Sequence, residues 1–154
     1  MEIRRAEARD AKRINELLYQ IAEHHHKLRP DIFAPATKKY TDEELLEIIR
    51  DDVRPIFVAD DNGVVGYAFC IFQNYPKNGI FCVDKALYID DFCVDESQRG
   101  KHIGKKIYEY VRAFAKEQGC YHVTLNVWAT NESAKRFYEA CGLRPKNIYM
   151  EDIL

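Results

Sequence analysis

The chain has 154 residues, 47% hydrophobic and 12% aromatic, enough for one core of ordinary domain size over residues 1–154. Charged residues make up 31% and nearly cancel, to a net −2, which argues against nucleic acid or an anionic membrane surface as the main partner, since both select basic proteins. No apolar run approaches the roughly 20 residues of a membrane span, and MEIRRAEARD is charged from its second residue, unlike a secretory signal. Cys70, Cys82, Cys93, Cys120 and Cys141 are odd in number, widely spaced and without a C-x-x-C pair. They read as reduced thiols of a cytoplasmic protein and not as a metal site.

In chain order, Glu2–Arg5 reads as a short strand. Ala11, Ile14, Leu18, Ile21 and His25 then step at helical spacing, and the helix should fade by Leu28, before Pro30. Residues 29–40 read as a loop. Thr41 to Glu44 forms a capping box ahead of Leu45, Leu46, Ile48 and Ile49 on a second helix. Residues 55–60 and 64–74 read as strands joined at Asn62-Gly63, a hairpin signal. Residues 81–95 read as a further strand. A helix over 103–118 turns Ile103, Ile107, Tyr110, Val111 and Phe114 to one face, with Gly119 as its C-cap. A strand over 121–128, a short helix over 131–141 and a last strand over 148–153 complete the chain. The order β-α-α-β-β-β-α-β-α-β predicts a mixed α/β fold: six to seven mostly antiparallel strands flanked by about four helices.

The junction between strand 81–95 and its following helix reads QRGKHIG, residues 98–104. Cations and glycines at a helix start suit an anion, because the first N–H groups of a helix lack partners and carry partial positive charge. The segment is neither a dinucleotide fingerprint nor a P-loop, since G-x-G-x-x-G and G-x-x-x-x-G-K-[ST] are both absent. A second element follows about 30 residues on, NVWATNESAKRFYEACG.

This pair resembles the acetyl-CoA-binding core of the GNAT acetyltransferases, most specifically over residues 81–145. The family turn Q/R-x-x-G-x-G/A matches Arg99, Gly100, Lys101, His102, Ile103 and Gly104, and the family's later Asn and F-Y dipeptide match Asn131 and Phe137-Tyr138. From Asp90 to the F-Y dipeptide the sequence is similar to the spermidine/spermine N-acetyltransferases. The resemblance implies transfer of an acetyl group from acetyl-CoA, as co-substrate, to a primary amine by direct attack in a ternary complex. It implies that Arg99–Gly104 cradle the pyrophosphate and that Asn131 holds CoA. The Phe92 N–H would face the thioester carbonyl, the backbone of Phe92, Cys93 and Val94 would receive the pantetheine arm, and Tyr138 would protonate the leaving thiolate. It implies a small cationic amine or polyamine as acceptor, with aminoglycosides and protein N-termini as competitors, and a pocket lined from 24–29 and Tyr40. One departure stands out: His102 replaces the family's first glycine, at a cost on the order of 1 kcal/mol if that position needs positive φ.

Asp90 and Asp91 interrupt an apolar strand. Successive strand residues face opposite sides, so Asp90 is expected to share a face with Phe92 and Val94 and to accept the amine's proton or anchor it, with Asp91 pointing away. His24, His25 and His26 point roughly 100° apart on a helix and do not converge on a metal. The other readings are an acyl-CoA-binding sensor without turnover, and a pure interaction module. Strand Tyr67–Tyr75 is the expected surface for a homodimer.

Overall fold

Alternating apolar residues build a twisted sheet with one helix layer on each face. The computed structural model describes residues 1–77 and 79–154. Five strands pair in sequence order: β1 (Glu2–Arg5), β2 (Ile56–Asp60), β3 (Val64–Asn74), β4 (Lys85–Val94) and β5 (His122–Leu125). The helices are α1 (Ala11–Leu28), α2 (Asp42–Ile49), α3 (Ile103–Glu117) and α4 (Glu132–Ala140). The pairings from β1 to β4 are antiparallel, and β4–β5 is parallel. A parallel pair needs a crossover, which α3 supplies. The mixed α/β class expected from the sequence is the class observed.

The period of two divides the sheet's side chains between two cores. Tyr67, Phe69 and Cys93 meet Ile14, Leu17 and Leu18 of α1 and Leu45, Ile48 and Ile49 of α2. Ala68, Cys70, Leu87 and Ile89 meet Ile103, Ile107, Tyr108 and Val111 of α3, with Phe92, Val94 and Phe137 packed alongside. The capping box forms as read: Glu44 N–H donates to Thr41 Oγ1 at 3.2 Å and Thr41 N–H to Glu44 Oε2 at 2.8 Å. On α3 the buried face includes Tyr108 and Ala115, whereas Tyr110 is exposed.

Four expectations are corrected. Strand 81–95 starts only at Lys85, and strand 121–128 ends at Leu125. No sixth strand forms over 148–153; that segment has no regular structure, because no sheet edge pairs with it. Tyr67–Cys70 is closed to a partner, since β3 lies between β2 and β4 and these residues are buried, and only the Gln73–Asn74 end of the strand is exposed.

One irregularity shapes the site. Phe69 pairs with Asp91 and Cys70 with Ile89, so Asp90 is the extra residue of a β-bulge. A bulge shifts the alternation of the strand beyond it by one residue.

Candidate active site

The site begins where β4 and β5 part. They pair from Ala86↔His122 to Ile89↔Leu125, and β4 then runs on to Val94 without a partner on that side. The Asp95 N–H donates to Val65 O at 2.9 Å, which fixes the phase of the β3–β4 ladder. In an antiparallel ladder bonded and non-bonded pairs alternate. Asp91 and Cys93 therefore bond to β3, while the backbone groups of Phe92 and Val94 point to the open edge. The Val94 carbonyl accepts from Gln20 Nε2 at 3.3 Å. Cys93 does not reach this edge with its backbone, and its thiol is buried against α1, where burial pushes it up to about 12.

The bulge overturns the expected facing of the two acids. Leu87 and Ile89 before it, and Phe92 and Val94 after it, all pack on the α3 side. Asp90 and Asp91 both turn to the α1–α2 side. Asp90 Oδ2 accepts from Lys39 Nζ and from the Tyr40 hydroxyl, each at 2.7 Å. Asp91 Oδ1 accepts from the Tyr67 hydroxyl at 3.4 Å. Burial raises the Asp91 carboxyl to about 6; Lys39 opposes the shift and the neighbouring Asp90 charge adds to it. Burial and the Asp90 carboxylate push the Tyr40 phenol well above its ordinary range.

The turn before α3 is built as an anion cradle. Gly100 sits at φ 80° and His102, the N-cap residue, at φ 59° and ψ 17°. Histidine is among the few non-glycine residues enriched in this left-handed region, so the substitution keeps the backbone path at a modest cost. The N–H groups of Gly100 through Lys105 donate to no acceptor among the described residues. Arg99 lies 3.7 Å from Glu96, and Lys101 donates to Gln98 at 2.7 Å. Gly104 has a different task. A Cβ there would come within 3.2 Å of the Phe137 ring, so its absence lets α4 pack close to α3.

From α4, Tyr138 leans across the opening. Its ring meets Phe92 edge-on, with centroids 6.1 Å apart, and Phe137 packs against the same ring at 5.6 Å. Burial holds the Tyr138 phenol above its ordinary range, and the Asp91 charge adds to this. Asn131 caps α4: its Oδ1 accepts from Ala134 N–H at 3.2 Å and from Ser133 Oγ at 3.1 Å, and the residue is buried.

The opposite side is lined from α1 and the loop after it. His25 stacks on Phe33, whose ring meets Trp128 edge-on, both with centroids 5.2 Å apart. Arg29 lies over Trp128 and pairs with Asp31 and Glu151. The histidine run does not converge: His26 Nδ1 contacts Phe33 O, while His25 Nδ1 is buried without a partner. Among the described residues no cluster of three or more His, Cys, Asp or Glu is placed to hold a metal ion. The contact of Lys39 with Asp90 carries no sequence signal; Tyr40 was singled out only through the family resemblance.

The model of the Acetyltransferase (GNAT) family matches residues 15–143. The chain belongs to the GNAT acetyltransferase family. As a GNAT acetyltransferase it is an acetyl-CoA-dependent N-acetyltransferase, and the cradle and open edge fit that co-substrate. It is 44% identical over 113 residues to a glucosamine 6-phosphate N-acetyltransferase of Arabidopsis thaliana, covering 73% of this chain and 67% of the relative. It superposes on a mutated form of a Bacillus halodurans protein (BH1408) with a TM-score of 0.94 at 30% identity, over 100% of both chains. An aminoglycoside N-acetyltransferase solved with CoA shares the fold at TM-score 0.72 and 18% identity, over 99% of this chain and 98% of that one. Among the described residues no helix is long and apolar enough to cross a membrane.

Proposed function

We propose that this GNAT acetyltransferase moves the acetyl group of acetyl-CoA onto the amine of an amino-sugar phosphate of the glucosamine 6-phosphate type, by direct attack in a ternary complex. The observation that carries the reaction is the parting of β4 from β5 after Ile89 and Leu125, with the unpartnered N–H groups of residues 100–105 at one end of the gap. The pantetheine arm takes the place of a strand against Phe92 and Val94, and the pyrophosphate lies in the cradle at Arg99–Gly104. The Phe92 N–H donates to the thioester oxygen as negative charge builds on it, a contribution often worth several kcal/mol. Tyr138 protonates the leaving sulfur; burial keeps the phenol protonated until the thiolate forms. Asn131 fixes the start of α4 and so the position of Tyr138.

Two observations support the acceptor. The Arabidopsis relative is 44% identical over most of this chain. The acceptor side also holds Lys39, which already pairs with Asp90 and reduces the negative charge a polyamine would seek. The pair Asp90 and Asp91 on one face favours the second reading, a cationic amine or polyamine. The five free cysteines support a cytoplasmic setting.

The test is CoA thiol release from acetyl-CoA, run across glucosamine 6-phosphate, glucosamine, polyamines, aminoglycosides and short peptides. Saturable turnover with the sugar phosphate and a much higher KM for glucosamine bears out the reading. Turnover with polyamines alone replaces the acceptor. Acetyl-CoA binding without turnover on any amine leaves a sensor domain.

A further inference from the structure

We propose that Lys39 is itself an acetyl acceptor: its side-chain amine stands at the acceptor position and takes the acetyl group of acetyl-CoA bound to the same chain. The inference rests on the acetyltransferase reading above. β4 loses its β5 partner after Ile89, so Asp90 is the first residue of the open edge. It is also the extra residue of the bulge, which takes its backbone out of the β3 ladder. The Lys39 ammonium fills that place. Its Nζ donates to Asp90 Oδ2 at 2.7 Å and to the Asp90 carbonyl at 3.3 Å. A carboxylate and a freed carbonyl together suit a primary ammonium ion, and the chain's own loop supplies one. Among the described residues, Lys39 is the one lysine bonded to β4 beyond the parting.

Phe92, whose N–H the reading above assigns to the thioester oxygen, is two residues further on, about 7 Å along an extended strand. The Lys39 side chain is 42% exposed and its four-carbon stem is flexible, so Nζ can swing along the edge while the loop backbone stays in place. Tyr40 holds that backbone: its ring stacks on Phe69, with centroids 5.5 Å apart, and its hydroxyl donates to the same Asp90 oxygen at 2.7 Å. Lys38 is the contrast. Its Nζ donates to Asn15 Oδ1 of α1 at 2.8 Å and pairs with Asp42 of α2.

The step balances as follows. One Lys39 ammonium proton passes to Asp90 Oδ2, to which Nζ already donates. The freed nitrogen lone pair bonds the thioester carbon. The C–S bond then breaks with its electron pair on sulfur, sulfur gains the second nitrogen proton, and Asp90 releases its proton to water. One ammonium and one acetyl-CoA give acetyl-lysine, CoA thiol and one proton. Because amine and thioester are held by one chain, the step is unimolecular once acetyl-CoA is bound.

The experiment incubates the purified protein with acetyl-CoA carrying a deuterated acetyl group and follows the label by intact-mass and peptide mass spectrometry. Wild type, Lys39→Arg and Asp90→Asn are compared, with acetyl-CoA affinity measured by calorimetry to confirm a folded cradle in each. The wild type is expected to gain one label per chain, on Lys39, at least tenfold faster than on Lys38. The rate should be independent of protein concentration and suppressed by desulfo-CoA. Lys39→Arg keeps a cation for Asp90 but no acceptor amine, and should lose the label. Asp90→Asn should slow labelling of Lys39 at least tenfold. Labelling of Lys39 no faster than of Lys38 overturns the inference, and so does a rate that rises with protein concentration, ignores desulfo-CoA or is unchanged in Asp90→Asn. CoA thiol release with an added amine separates the two readings. Turnover of that amine with Lys39 unlabelled removes Lys39 as an acceptor and keeps the enzyme. Neither labelling nor turnover on any amine overturns the acetyltransferase reading, and the inference falls with it.

Discussion

The Asp91 carboxyl, raised by burial to about 6, leaves a mark on stability. The folded protein holds the Asp91 proton up to about pH 6, while the unfolded chain releases it near the ordinary value of about 4. The folded state therefore binds more protons between those values, and stability falls as pH rises through that window. Asp91→Asn removes the penalty. We expect it to stabilise the protein at pH 7.5 by on the order of 2 kcal/mol and to have little effect at pH 4, as read from urea midpoints. A gain that is equal at both pH values would place its origin elsewhere. Tyr138→Phe tests the other side of the gap. Its hydroxyl bonds to no group among the described residues, so its loss should leave the melting temperature and acetyl-CoA affinity in place and lower kcat at least tenfold. Two acids in an apolar strand were legible as unusual. Their facing was not, because a bulge is a backbone event that strict alternation cannot foresee.

At the scale of elements, the strand–turn–helix unit around QRGKHIG was readable because its parts are local: a strand, cations, glycines and an amphipathic helix. The backbone at His102 is left-handed, at φ 59°, a region that glycine enters without steric cost. His102→Gly relieves left-handed strain of roughly 1 kcal/mol but adds backbone entropy to the unfolded chain, so the melting temperature should move little. Acetyl-CoA affinity by calorimetry should hold or rise; a tenfold loss would assign the imidazole its own contact with the phosphates. Gly104 behaves differently. Alanine is the better helix former by about 1 kcal/mol, yet its Cβ would sit 3.2 Å from Phe137 Cε2 and Cζ. We expect Gly104→Ala to lower the melting temperature and, by shifting α4 and with it Tyr138, to lower kcat. A melting temperature above wild type would show that the Phe137 ring simply turns aside. The sequence marked Gly104 for the phosphate; its packing against α4 became visible only once the helices were placed.

For the whole molecule, the order of elements was legible because hydrophobic periods and turn residues mark each one. The extent of the sheet was not, because a strand is defined by its partner. Residues 148–153 have the composition of a strand, yet β5 ends the sheet after Leu125 and the segment pairs with nothing. Glu151 ties it to Arg29, at 2.5 Å, and Lys146, just before it, donates to the Tyr75 hydroxyl at 3.3 Å. Ile148, Tyr149, Met150, Ile153 and Leu154 are 75–113% exposed. That much apolar surface in one short run is costly in water, and unpaired strand backbone invites another chain. With most of β3 buried inside the sheet, we expect this segment to make the contact between copies that Tyr67–Tyr75 was expected to make. We expect light scattering to give twice the chain mass of 18.1 kDa. Replacing Ile148, Met150 and Leu154 together by serine should reduce the particle to one chain with its fold kept, since those side chains lie outside both cores. A wild-type particle of 18.1 kDa at micromolar concentration would remove the homodimer.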